Sequence, residues 1–116
     1  MPVTDCLFCA IVAGVLPSTE VLSTDLVYAF RDLHPVAPTH VLVVPREHIV
    51  DAAHITADHG EVLAEMFEVA RQVARADGLA ERGSRLVLNV GADSGNRVPH
   101  LHLHLLGGRR LGWPPG

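Results

Sequence analysis

The sequence predicts an α+β fold: an antiparallel sheet of about five strands carrying one long helix and one short N-terminal helix. Three observations support this. A single wide apolar stripe of helical period runs through residues 62–74. Strand-like runs outnumber helices, and most of the links between them are of hairpin length. Near the end of the chain, histidine and leucine alternate strictly from His100 to Leu105. The whole chain, residues 1–116, reads as one domain.

The elements follow in order. Residues 6–13 (CLFCAIVA) suit a short helix stopped by Gly14, a residue that tolerates the left-handed position after a helix end. Glu20–Ser23 and Leu26–Arg31 form a hairpin about Thr24 and Asp25. His34-Pro35-Val36-Ala37-Pro38 is irregular, because each proline lacks a donor and restricts its predecessor. Thr39–Val44 is a nearly continuous apolar strand closed by Pro45. The long helix starts near Thr56 or Asp58, with Asp58 and Glu61 as a capping box, and stops at Gly78. Val62, Met66, Val69 and Val73 recur along it beside Leu63, Phe67, Ala70 and Ala74, so Met66 and Phe67 are expected in the core. Arg85–Val90 and Pro99–Leu106 complete the strands.

Composition narrows the function classes. Nine Lys+Arg against thirteen Asp+Glu give a net charge of −4, so no global basic field favours nucleic acid. No run approaches the roughly 18–20 apolar residues of a membrane span, and the N-terminus has no basic region of the signal-peptide kind. The expectation is a soluble cytoplasmic protein with no nucleic-acid or membrane partner. Two cysteines, Cys6 and Cys9, are too few for a disulfide framework.

The chemistry concentrates in the histidines. On a strand, His100, His102 and His104 share one face while Leu101, Leu103 and Leu105 share the other. Three imidazoles on one face have no packing rationale, which leaves a metal site or catalysis on an anionic substrate. Imidazole can attack, donate and accept protons at neutral pH. Attack on phosphorus through Nε2 would divide one difficult displacement into two easier ones. His34, His54 and His59 are isolated and read as surface residues.

The run His100-Leu101-His102-Leu103-His104-Leu105-Leu106 resembles the histidine-triad signature, in which three histidines alternate with apolar residues. Cys6-Leu7-Phe8-Cys9 with Ile11, Ala29-Phe30-Arg31-Asp32 and Ala37 to Pro45 resemble the opening and middle of that family. Gly107-Gly108-Arg109 through Trp113-Pro114-Pro115-Gly116 is similar to its Hint branch, the histidine-triad nucleotide-binding proteins, and not to its dinucleoside polyphosphate hydrolases.

The resemblance implies a HIT-like fold and a homodimer that binds purine nucleoside monophosphates. It also implies hydrolysis of nucleoside 5′-phosphoramidates to a nucleotide and an amine. Carried over by position, His102 is the nucleophile, His100 orients it, His104 lies by the phosphate and assists the amine, and His40 is a fourth histidine on the adjacent strand. Asp32 matches the carboxylate that accepts from the ribose hydroxyls. Leu7, Phe8, Phe30 and Leu33 match the walls of the base pocket, and Asn89 an asparagine near the phosphate. The segment Gly95-Asn96-Arg97-Val98-Pro99 departs from the commoner pattern of the branch. Asn96 and the Val98 amide are expected to donate to a phosphate oxygen, while Arg97 either adds charge there or turns to solvent. The tail ending Trp113-Pro114-Pro115-Gly116 is implied to lie against the partner subunit near its active site.

The cysteine pair by itself fits neither a thioredoxin-like redox pattern nor, without two further ligands, a tetrahedral zinc site. In zinc-bearing relatives that the sequence resembles, the positions of His48 and His100 supply them, implying structural Zn²⁺ on Cys6, Cys9, His48 and His100. The competing functional readings are a nucleotide-binding module with negligible turnover and a dinucleoside polyphosphate hydrolase. A complete triad argues against the first and the tail against the second.

Overall fold

The computed structural model describes residues 6–116. Five antiparallel strands lie in the spatial order β1-β2-β3-β5-β4. They are β1 (Glu20–Ser23), β2 (Val27–Arg31), β3 (Thr39–Pro45), β4 (Ser84–Val87) and β5 (Leu103–Gly107). A short helix, α1 (Leu7–Val12), precedes them, and the long helix, α2 (Gly60–Ala76), fills the connection between β3 and β4.

Alternation divides β2, β3 and β5 between two layers. Val27, Ala29, Val41, Val43, Leu103 and Leu105, with Leu101 just before β5, pack with Val62, Met66, Val69 and Val73 of α2. Tyr28, Phe30, Leu42 and Val44 point the other way and pack with Phe8, Cys9 and Ile11 of α1. The central strand β3 is buried at every position because both faces are covered and both edges are paired.

Several sequence expectations shift at their ends. The helix entrance is capped by Thr56 and His59, not by Asp58 and Glu61. The Thr56 hydroxyl accepts from the Asp58 N–H, and the Thr56 N–H donates to His59 Nδ1 at 2.9 Å. The chain makes a 3₁₀ turn over Ala57–His59 before α2 begins, which leaves Glu61 in the first turn of the helix. Phe67 is 46% exposed and not in the core, because the row containing Met66 and Val73 faces the sheet and Phe67 lies on its flank. Strand β4 ends at Val87, three residues short of Val90, because its partner β5 begins only at Leu103. Upstream of it the Leu101 N–H donates to the Ile49 carbonyl instead of to a strand. His100 and His102 therefore precede the ladder that Pro99–Leu106 was expected to form, yet their side chains keep the alternation.

Two features connect the layers. Arg31, at the end of β2, makes a paired contact with the Asp77 carboxylate just past α2, at 2.6 and 3.0 Å. Thr39 at the start of β3 adds a third bond to Asp77. The Arg31 guanidinium, then the Thr39 hydroxyl, hold Asp77 below the usual carboxylate range against the opposing effect of burial. After β5 the chain turns at Gly108, where φ is +89° and a Cβ would come within 2.8 Å of Pro38. Only glycine meets both conditions.

Candidate active site

Helix α1 lies across the sheet face opposite α2. Cys6 caps it, its sulfur accepting from the Cys9 N–H at 3.4 Å. The first turn aims Phe8 inward, edge-on to Phe30 (5.7 Å, 71°) and to His102 (5.0 Å, 79°). Beside it opens a cavity of about 420 Å³ with mainly apolar walls, including Leu7, Phe8, Phe30, Leu33 and Leu42. Its polar rim includes Ser18, Asp32 and His34.

The hydrogen bonds assign a proton to each imidazole, since a carbonyl can only accept and a backbone N–H can only donate. His100 places Nε2 at 2.9 Å from the Pro45 carbonyl, so Nε2 carries the proton and Nδ1 a lone pair. His102 places Nδ1 at 2.7 Å from the His100 carbonyl, so its lone pair is on Nε2. His40 accepts the Val36 N–H on Nδ1 at 3.1 Å, so its proton is on Nε2. That Nε2–H lies 2.9 Å from Nδ1 of His104 and 3.3 Å from the Asp32 carboxylate. His104 thus accepts on Nδ1 and carries its own proton on Nε2. This last nitrogen is buried and has no hydrogen-bond partner among the described residues. The site presents one lone pair, His102 Nε2, and one unspent donor, His104 Nε2–H, on rings whose centroids are 5.0 Å apart.

Electrostatics keeps these rings neutral. Burial lowers the pKa of His102, with the His100 carbonyl and the Asp32 charge acting against it. His104 is pushed down to about 4, first by burial and then by the His102 and His40 imidazoles, with Asp32 opposing. Burial also lowers His40, again against Asp32. A neutral His102 is a nucleophile and a neutral His104 a hydrogen-bond donor at physiological pH.

Asp32, His40 and His104 are close enough to ligate a common ion. The Val36 N–H on His40 Nδ1 argues against that use, because ligation through Nε2 would need the proton on Nδ1. His40 and His104 form a hydrogen-bonded relay beside the Asp32 carboxylate.

A second cluster shows the opposite logic. His100 Nδ1 offers one lone pair, yet Cys6 Sγ (3.3 Å), Cys9 Sγ (3.5 Å) and His48 Nδ1 (3.2 Å) all converge on it. Cys9 Sγ also lies 3.3 Å from His48 Nδ1. One lone pair cannot accept from three neighbours, whereas one cation can bind all four groups. Tetrahedral zinc bond lengths require edges of about 3.5 Å from S to N and about 3.3 Å from N to N. The donor set therefore fits a four-coordinate metal, and neither cysteine is in a disulfide.

The structure brings together His40, His100, His102, His104 and Asp32, and lines the cavity with Leu7, Phe8, Phe30, Leu33 and Val98. Asn89, Asn96 and Arg97 are not part of that lining. The Val98 N–H, expected to donate to a phosphate, here donates to Asn96 Oδ1 at 3.2 Å, a bond that leaves the Asn96 side-chain NH₂ as a donor. Arg97 is exposed. His34, read as a surface residue, is exposed but borders the cavity, and His59 caps the helix entrance. The sequence reading missed Ile11, Leu16 and Leu42 in the cavity wall and the Val36 N–H behind His40. Strand alternation from Phe30 could have found Leu42, its register partner, but nothing local marks the Val36 amide.

The chain is similar to several known proteins. Residues 13–111 match the HIT domain family. The purine nucleoside phosphoramidase of Escherichia coli K12 is 43% identical over 106 residues, covering 91% of this chain and 89% of that one. A 14 kDa zinc-binding protein of Zea mays is 42% identical over 112 residues, covering 95% and 87%. The crystal structure of a HIT family hydrolase from Legionella pneumophila superposes with a TM-score of 0.95 at 47% identity, covering 97% of this chain and 100% of that one. With its alternating histidines, five-stranded sheet and long helix, the chain belongs to the HIT domain family, in its Hint branch.

Proposed function

We propose that this protein is a hydrolase that cleaves the P–N bond of purine nucleoside 5′-phosphoramidates through a nucleotidyl group on His102. The observation that carries the reading is the pairing of a lone pair on His102 Nε2 with an unpartnered donor on His104 Nε2, beside a cavity of nucleoside size. The 43% identity to a phosphoramidase supports the choice of substrate.

The chemistry follows from the proton positions. The purine lies between the apolar walls and the ribose hydroxyls donate to Asp32. His102 Nε2 attacks phosphorus, and the P–Nε2 bond forms as the P–N bond breaks. The amine leaves with a proton from water. His102 retains its Nδ1–H on the His100 carbonyl, which stabilises the positive charge that the ring acquires. His104 Nε2–H donates to a phosphoryl oxygen, where negative charge accumulates in the transition state. A second water then attacks phosphorus, giving its proton to the hydroxide that the first one left; the P–Nε2 bond breaks, its electron pair returns to His102 Nε2, and the nucleotide is released.

Zinc is the metal proposed for Cys6, Cys9, His48 and His100, in keeping with the maize relative's name and the donor geometry. Bound there, it would hold α1 to the sheet and fix His100, the residue whose carbonyl orients His102. A homodimer formed through α2 and the exposed edge of β4 is also proposed. Phe67, Leu86 and Leu88 are exposed on those elements or just beyond them, and Trp113 is 82% exposed on its own chain. The tail then reaches the partner's active site, and light scattering at micromolar concentration should report twice the chain mass.

Turnover of an adenosine phosphoramidate, followed as AMP release, tests the function. His102→Ala should lower kcat by about 10⁴-fold with little change in AMP affinity. Near wild-type turnover in that variant would refute the covalent reading, and wild-type protein that binds AMP without turnover would leave a binding module.

A further inference from the structure

We propose that Arg109 is a positioning residue for the catalytic relay, acting through the main chain of Val36 on His40 and thereby on the unspent donor of His104. The inference rests on the proposed reaction for its catalytic consequence, though not for its geometry.

Arg109 lies two residues beyond β5 and is exposed. Its Nε and Nη2 both donate to the Val36 carbonyl, at 3.2 and 2.9 Å, and Nη1 donates to the Arg110 carbonyl. Arg31 and Arg71 pair with carboxylates, whereas among the described residues Arg109 has no acidic partner. A charged fork converging on one neutral carbonyl fixes the position of that peptide.

Val36 is the residue whose N–H donates to His40 Nδ1. It lies in the 34–38 link, where Pro35 and Pro38 supply no donors of their own. The turn at Gly108, flush against Pro38, brings the arginine into reach. The order of contacts is then Arg109 to Val36, Val36 to His40, and His40 to His104, ending at a buried N–H with no partner among the described residues. Loosening the loop would remove the donor from His40 Nδ1 and let the proton of His40 move there from Nε2. His40 could then no longer donate to His104 Nδ1, and nothing would keep the proton of His104 on Nε2. A surface residue thus determines which nitrogen of a half-buried histidine can donate to the substrate.

The test compares wild type with Arg109→Met, which keeps length and removes the fork, and with Arg109→Lys, which keeps one charged donor. Side-chain ¹⁵N spectra, recorded above the imidazole titration range, report the tautomers directly. Wild type should show His40 and His104 protonated at Nε2, with Arg109→Met showing mixed tautomers at both. In the same variant kcat should fall about tenfold while KM changes little, with Arg109→Lys recovering most of the loss. If Arg109→Met does not melt cooperatively, Arg109→Gln takes its place under the same criteria. Unchanged tautomers in the neutral variant would overturn the proposal, whatever happens to turnover. If wild-type protein does not hydrolyse the phosphoramidate, the functional reading fails and the nitrogen spectra alone decide the role of Arg109.

Discussion

The two faces of the sheet are made from alternate residues of the same strands, yet they are held together by different physics. On the α2 face, Val41, Val43, Leu103 and Leu105 meet Met66, Val69 and Val73, with no side-chain hydrogen bond between these apolar groups. On the α1 face, the neighbours in sequence are Leu42, His40, His102 and His104, and their arrangement depends on which nitrogen carries which proton. Dispersion and burial tolerate some rearrangement of a side chain, whereas a hydrogen-bond chain with one acceptor per donor does not. The apolar face supplies the platform and the histidine face the chemistry.

Three changes would break or sharpen that contrast. Met66→Ala removes a fully buried side chain from the α2 face and should cost about 2–5 kcal/mol in urea unfolding. The folded fraction should keep its kcat, since the cavity is on the opposite face; a large loss of kcat at unchanged KM would show that the faces are coupled. Removing metal with a chelator, or Cys9→Ser, should act on the α1 face alone. Bound zinc measured by mass spectrometry should fall, the melting temperature should drop by several degrees, and AMP binding should weaken because Phe8 lies between the two cysteines. Retained zinc in Cys9→Ser would remove that residue from the ligand set.

The smallest effect is on pH. His104 has a folded-state pKa of about 4, below the ordinary value of 6.5, so the unfolded chain binds a proton that the folded chain refuses. Its contribution to stability is complete above pH 6.5 and is lost as pH falls from there toward about 4. His104→Gln should flatten that part of the stability profile and leave the alkaline side unchanged. An unchanged acid slope would mean that other groups carry it.

What the sequence revealed depended on how local the signal was. The α2 stripe and the alternation of His100 to Leu105 are periodic, so both faces are legible in the chain itself. Strand ends were less legible, because Val87 and Leu103 stop where a partner is lost and not where their own residues change. Thr56 was one of the two helix starts the sequence offered, but its box was hidden by the use of His59, an uncommon third residue for such a box. The exposure of Phe67 depends on how α2 is rotated against the sheet, which the stripe fixes only to within a residue. The Arg109–Val36 contact, 73 residues apart and made to a main-chain oxygen, leaves no pattern in composition or period.

The central position of β3 also bears on the order of assembly. It pairs with β2 through short-range contacts, Val27 with Pro45 and Arg31 with Val41, but on its other side Thr39 must find Gly107. Closing that long loop carries the larger entropic cost, so the hairpins of β1, β2 and β3 are favoured to form before β5 docks between β3 and β4. Asp32 and His40 then wait on an early-formed part of the sheet, while His102 and His104 arrive with the late one. During refolding, recovered turnover should therefore lag behind recovered secondary structure, and enzymatic activity becomes a clock for the last step of sheet closure.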